Sequence, residues 1–242
     1  IKTVGRMAGS FGMETPQGEH RYRLSFTVGG LLATQGRTLA EMYLKHVSDN
    51  GGQPDPNREN REIGEAITMI RAQAIEENVL AIRTVAASKR IVAETLKRLS
   101  VLTSEELAYL SGADAPTSDR ETLMWIAMCR YYAIVGEFAH DVLKAHYLTG
   151  RISLDFEDYA RFMADRATWH PEIDQLSELT AKKLRGNLFK AMSEAHLLRT
   201  DAGGTRKNHN TILSCTPSRV LADMLKKRPD SFVYLPMRET SL

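Results

Sequence analysis

With 242 residues, 43 % of them hydrophobic and 26 % charged, the chain is long enough to bury about three quarters of its unfolded surface, and too apolar to remain disordered. Its two cysteines, Cys129 and Cys215, are too few for a disulfide framework and fit a reducing, cytoplasmic setting. The apolar stretch Leu24 to Ala33, interrupted by Ser25 and Thr27, is about half the roughly 20 residues of a membrane span, so no transmembrane helix or targeting signal is expected.

Along the chain, residues 1–21 are Gly-rich, polar and aperiodic, and read as a flexible extension. A helix is predicted from about Val28 to Val47, on Leu31, Leu32, Leu39, Met42 and Tyr43, with Gly29 and Gly30 ahead of it where another backbone could approach closely. The run Ser48 to Arg61 reads as a loop. Further helices follow at Ile63–Ala74, Val85–Ser100, Ser104–Ser111, Asp119–Tyr131, Ile134–Leu148, Asp155–Thr168, Glu178–Leu198 and Pro217–Lys227. Thr103 with Glu106, and Ser118 with Glu121, match the capping box that satisfies orphan amides at a helix start. Strand is expected only as a hairpin, Arg199 to Asp201 against Thr211 to Leu213. The whole reads as an all-α multi-helix bundle divided into an N-terminal helical domain (22–150) and a C-terminal one (151–242). In the latter, the order helix, helix, hairpin is that of a winged helix-turn-helix.

The net charge of +2 hides a separation of sign. Residues 180–228 hold eleven Lys or Arg against Glu194, Asp201 and Asp223, a local +8 that leaves −6 for the remainder. At 100° per residue, Ala181, Leu184, Leu188, Ala191, Met192 and Ala195 form an apolar stripe, and Lys182, Lys183 and Lys190 fall opposite it. Gly186 and Ser193 keep that cationic face small-featured. Arg185 belongs to the same helix, and the hairpin adds Arg199, Arg206 and Lys207. Another cationic stretch, Arg83, Lys89, Arg90, Lys97 and Arg98, decorates a helix whose Val85, Ile91, Val92, Leu96 and Leu99 face a core. Each stretch also has the ordinary reading of a solvated helix face. Trp125, Tyr131, Tyr132, Phe138, Phe162 and Trp169 recur within apolar patterns and are expected in the core, which argues against a stacking platform for single strands.

Enzyme signatures are missing: the sequence holds no phosphate loop, no His-Glu-x-x-His, no Cys-x-x-Cys and no Gly-x-Ser-x-Gly. His140 and His146, six residues apart, fall on different faces of one helix. Asp155, Glu157, Asp158 and Asp165 could serve a divalent-metal nuclease. The same residues suit the positive end of a helix, with Asp165 and Arg161 as a surface pair. Neither catalytic residues, nor metal ligands, nor a cofactor are therefore expected.

Beyond these patterns, Tyr22 to Leu32 (YRLSFTVGGLL) with Ala40 to Leu44 (AEMYL) resembles the opening of BrxA proteins of bacterial BREX phage-defence systems. The resemblance continues through Ala87 to Arg90, Lys97 to Leu99, Trp125 to Arg130, and Trp169 to Glu172 leading to Leu179 to Arg185, and so spans Tyr22 to Leu198. It implies a small all-helical protein, partly similar to the NusB antitermination fold, that acts as a non-catalytic DNA-binding component of a defence system. Double-stranded DNA is then the expected partner, contacted mainly through phosphates, together with other BREX proteins. The competing expectation is a subunit that docks acidic protein partners; a nuclease ranks third.

Overall fold

Helix forms wherever the sequence repeats its apolar residues every three or four positions. A computed structural model describes residues 21–49, 60–200 and 210–238. The helices are α1 (Ala33–Asp49), α2 (Asn60–Glu76), α3 (Val85–Leu99), α4 (Ser104–Ser111), α5 (Thr117–Tyr131), α6 (Ala133–Phe138), α7 (Ala145–Leu148), α8 (Phe156–Ala167), α9 (Glu178–Glu194) and α10 (Arg219–Leu225). A π-helical segment, Ala139–Lys144, joins α6 to α7, and a 3-10 turn, Pro229–Tyr234, follows α10.

α5 is the central helix. Thr122 through Cys129 are all buried, as a helix with apolar residues on every side must be. α3 packs against it, α1 lies against α3, α4 and α2, and α6 turns back from α5 at Tyr132. Trp125 is fully buried and donates its indole N–H to the Tyr234 carbonyl at 3.0 Å. Burying a side chain of this kind stabilises by about 2–3 kcal/mol. One apolar cluster runs from Phe26 through α5 to Met237 and takes in Leu184, Leu188, Ala191 and Met192 of α9.

Three short strands, β1 (Ser153–Leu154), β2 (Leu198–Thr200) and β3 (Asn210–Ile212), form an antiparallel sheet in the order β1-β3-β2. The expected hairpin is present, beginning one residue early at Leu198. β1 was not expected. The buried Asn210 ties the three strands, accepting from Thr200 Oγ1 at 3.0 Å and donating to the Leu154 carbonyl at 3.3 Å.

Several boundaries differ from expectation for identifiable reasons. α1 starts at Ala33 rather than Val28, because Gly29, Gly30 and Leu32 all have positive φ, which breaks a right-handed helix. The Thr103–Glu106 capping box forms, with reciprocal bonds of 2.8 and 3.1 Å. The Ser118–Glu121 box does not: α5 begins at Thr117 after Pro116, with no side-chain cap. α9 stops at Glu194, and His196 takes the left-handed conformation that lets the Leu197 amide reach the Met192 carbonyl at 2.9 Å. Trp169, expected in the core, is 77 % exposed, since α8 ends at Ala167 and the chain turns before the ring can face inward.

Candidate nucleic-acid interface

The element order β1–α8–α9–β2–β3 places α9 between a ten-residue turn and the hairpin, with Ser177 capping its first turn by accepting from the Thr180 amide. Leu184, Leu188, Ala191 and Met192 bury the predicted stripe, and Lys182, Lys183 and Lys190 are exposed opposite it. A Cβ built at Gly186 would meet no atom within 4 Å, so this glycine is not required by packing and leaves the cationic face flat.

The other predicted residues divide. Lys190 lies 3.6 Å from Glu194, and the Arg185 guanidinium sits 4.3 Å over the Phe156 ring, so both are already engaged. Arg199 is exposed on β2. Arg206 and Lys207 lie outside the described residues. On α3, Lys89 and Arg90 are exposed, whereas Lys97 is half-buried with Nζ 3.7 Å from Glu94. Arg98 corrects the expectation for that helix: it is fully buried rather than part of a cationic surface. It donates to the Gly30 and Leu31 carbonyls at 2.6 and 2.9 Å and to Glu94 at 3.0 Å. Lys89 and Arg90 are eight or nine residues from it, about 12–14 Å along the helix axis.

The acidic residues of α8 have local duties. Asp155 accepts from the Glu157 and Asp158 amides, and Asp158 returns the bond to the Asp155 amide at 3.0 Å, closing a capping box. Asp158 also accepts from Arg151 at 2.6 Å and from Arg161. Burial pushes its carboxyl upward, yet the Asp155 amide, Arg161 and Arg151 prevail and hold it below the ordinary carboxylate range. Asp165 pairs with Arg166 rather than with Arg161, the partner its spacing suggested. Asp158, Asp165, Arg151, Arg161 and Arg166 line a cleft of about 340 Å³ with Asp141, His146 and Phe162, in which three arginines face three aspartates. Arg151, which can only donate, lies 3.2 Å from His146 Nε2, and burial and Arg151 lower the His146 pKa. Among the described residues no group of three or more His, Cys, Asp or Glu could hold a metal ion, and no helix is long and apolar enough to cross a membrane.

A feature the sequence reading missed is the segment 21–32, which has no regular structure yet is fastened by side chains. Asn187 of α9, 8 % exposed, accepts from the Gly30 amide at 2.7 Å and donates to the Phe26 carbonyl at 2.8 Å. Glu194 accepts from the Leu31 amide at 2.6 Å. The Gly29-Gly30 pair was the available signal: a Cβ at Gly30 would fall 2.4 Å from the Glu194 carboxylate, the close approach such a pair permits.

The sequence model of the BrxA family matches residues 60–228, well over half of the chain. The chain belongs to the BrxA family. A curated relative, the BREX protein BrxA of Escherichia coli O9:H4 (strain HS), is 24 % identical over 169 residues, covering 67 % of this chain and 78 % of that one. The crystal structure of an uncharacterized protein from Magnetospirillum magneticum superposes with a TM-score of 0.64 at 18 % identity, over 88 % of this chain and 96 % of the other, and shares the fold.

Proposed function

We propose that this chain is a non-catalytic, cytoplasmic component of a BREX phage-defence system that binds duplex DNA through α9. The observation that carries this reading is the exposed cationic face of α9, with Lys182 and Lys183 beside the uncovered Gly186, in the β1–α8–α9–β2–β3 order. We read that order, with strands arranged β1-β3-β2, as a winged helix-turn-helix, in which the second helix would meet the groove. Lysines on a smooth helix supply phosphate contacts and little base selectivity. The Asp155 and Asp158 carboxylates are occupied by amides and arginines, which supports binding without cleavage.

A protein-docking role is favoured by a different observation: Trp169 is 77 % and Leu179 62 % exposed, one in the turn before α9 and the other in its first turn. Fluorescence anisotropy of a labelled duplex separates the readings. Under the proposal the purified chain binds alone, equally with or without chelator, and leaves supercoiled plasmid intact in Mg²⁺. No binding to duplex refutes it, and nicked plasmid refutes the non-catalytic part.

A further inference from the structure

The segment 21–32 runs from the turn between α8 and α9 to the C-terminal end of α9. At its start the Arg21 guanidinium donates to Gln175 at 3.3 Å, the Tyr22 amide donates to Glu172 at 2.7 Å, and the Tyr22 ring stacks on His170 at 3.8 Å, all within the turn between α8 and α9. The Tyr22 hydroxyl donates to Glu137, which pairs with Arg166 of α8. In its middle, Asn187 holds the Phe26 and Val28 carbonyls and the Gly30 amide. At its end Glu194 takes the Leu31 amide, and Arg98 binds the Gly30 and Leu31 carbonyls from α3. The buried carbonyls of an irregular segment are thus satisfied by buried side chains of the elements it crosses, so segment and α9 are fixed relative to each other. Asn187 and Glu172 are buried, whereas Lys182 and Lys183 are exposed.

We infer that residues 21–32 are a positioning strap for the nucleic-acid face of α9, tying down the turn before the helix and its last two turns so that Lys182 and Lys183 are presented in one orientation. The inference rests on the duplex-binding reading above. Asn187 and Tyr22 are its positioning residues: they act through α9 and do not touch the ligand. If the strap is loosened, only a fraction of molecules hold α9 correctly, and the apparent Kd rises in inverse proportion to that fraction. The bound complex keeps the same lysine–phosphate contacts, so the salt dependence of binding is unchanged.

The test compares wild type, Asn187→Ala and Tyr22→Ala on a labelled duplex, titrated over a range of salt at a temperature where circular dichroism gives all three the same helix content. Asn187→Ala should bind roughly tenfold more weakly with the wild-type slope of log affinity against log salt. Tyr22→Ala, at the half-buried outer end, should bind roughly threefold more weakly, and it carries the test if Asn187→Ala does not fold. A variant that melts earlier but binds as wild type has lost stability alone, and overturns the strap while leaving duplex binding intact. A fall in slope together with affinity also overturns it, because the strap would then contact phosphate itself. Absence of binding by wild type overturns the duplex reading and this inference with it.

Discussion

Asp158→Ala is the substitution whose effect the structure specifies most fully. The side chain is 2 % exposed and does two things at once. It accepts from the Asp155 amide, one half of the box that starts α8, and losing such a cap costs about 1 kcal/mol. It also neutralises Arg151 and Arg161, whose side chains are 44 % and 65 % exposed. Because both arginines regain water when the carboxylate goes, each pair is worth at most about 1 kcal/mol, below the roughly 3–5 kcal/mol of breaking a fully buried pair. The sum is a loss of about 2–3 kcal/mol, read by urea denaturation followed by circular dichroism at pH 7. The pH dependence has a definite sign. With its pKa held low in the folded state, Asp158 contributes stability that is present above the unfolded carboxylate value of about 3.9. That contribution is lost as pH falls through the lower folded value, so wild type and variant should converge in acid. A loss under about 0.5 kcal/mol at pH 7, or a gap that persists undiminished to pH 2, refutes the cap-and-pair account.

Arg98→Ala should be more damaging, by about 3–5 kcal/mol, because the Glu94 carboxylate and the Gly30 and Leu31 carbonyls lose a fully buried partner. Thermal denaturation checks this, and a Tm equal to wild type would contradict it. Gly186→Ala should stabilise by about 0.5–1 kcal/mol, since alanine is the better helix former and its methyl meets open space. The same substitution should bring no gain in duplex affinity, as the methyl stands on the face meant for close approach. A destabilised Gly186→Ala chain would mean that this face is covered.

Most locally encoded features could be read from the sequence, the Ser118–Glu121 box excepted, since α5 starts at Thr117 after Pro116. The Thr103 and Glu106 box, the stripe of α9 and the hairpin each depend on residues close in sequence, and each stands where expected. What else escaped depends on distant partners. β1 is two residues long and becomes a strand because Asn210 and Thr211 lie beside it. Arg98 carries no local mark distinguishing it from its exposed neighbours Lys89 and Arg90; its burial is set by carbonyls 67 and 68 positions away. Trp169 was misread because an apolar residue beside a helix pattern looks like its continuation, whereas α8 had already ended. For the site, the charge separation and the stripe indicated Lys182 and Lys183. They could not indicate that Arg185 is held over Phe156, 29 positions away, whereas the Lys190–Glu194 pair is legible from its i,i+4 spacing.

The claim that α9 meets the phosphates of duplex DNA is tested most directly by the salt dependence of binding in wild type and in the double variant Lys182→Glu/Lys183→Glu. Both lysines are exposed, so their reversal leaves the fold intact, with stability changing by under about 0.5 kcal/mol for each. Each phosphate contact contributes about 0.9 to the slope of log affinity against log salt, so removing two should lower its magnitude by about 1.8 and weaken binding alike on unrelated sequences. A folded double variant that keeps the wild-type affinity and slope would contradict the account and move the interface away from α9.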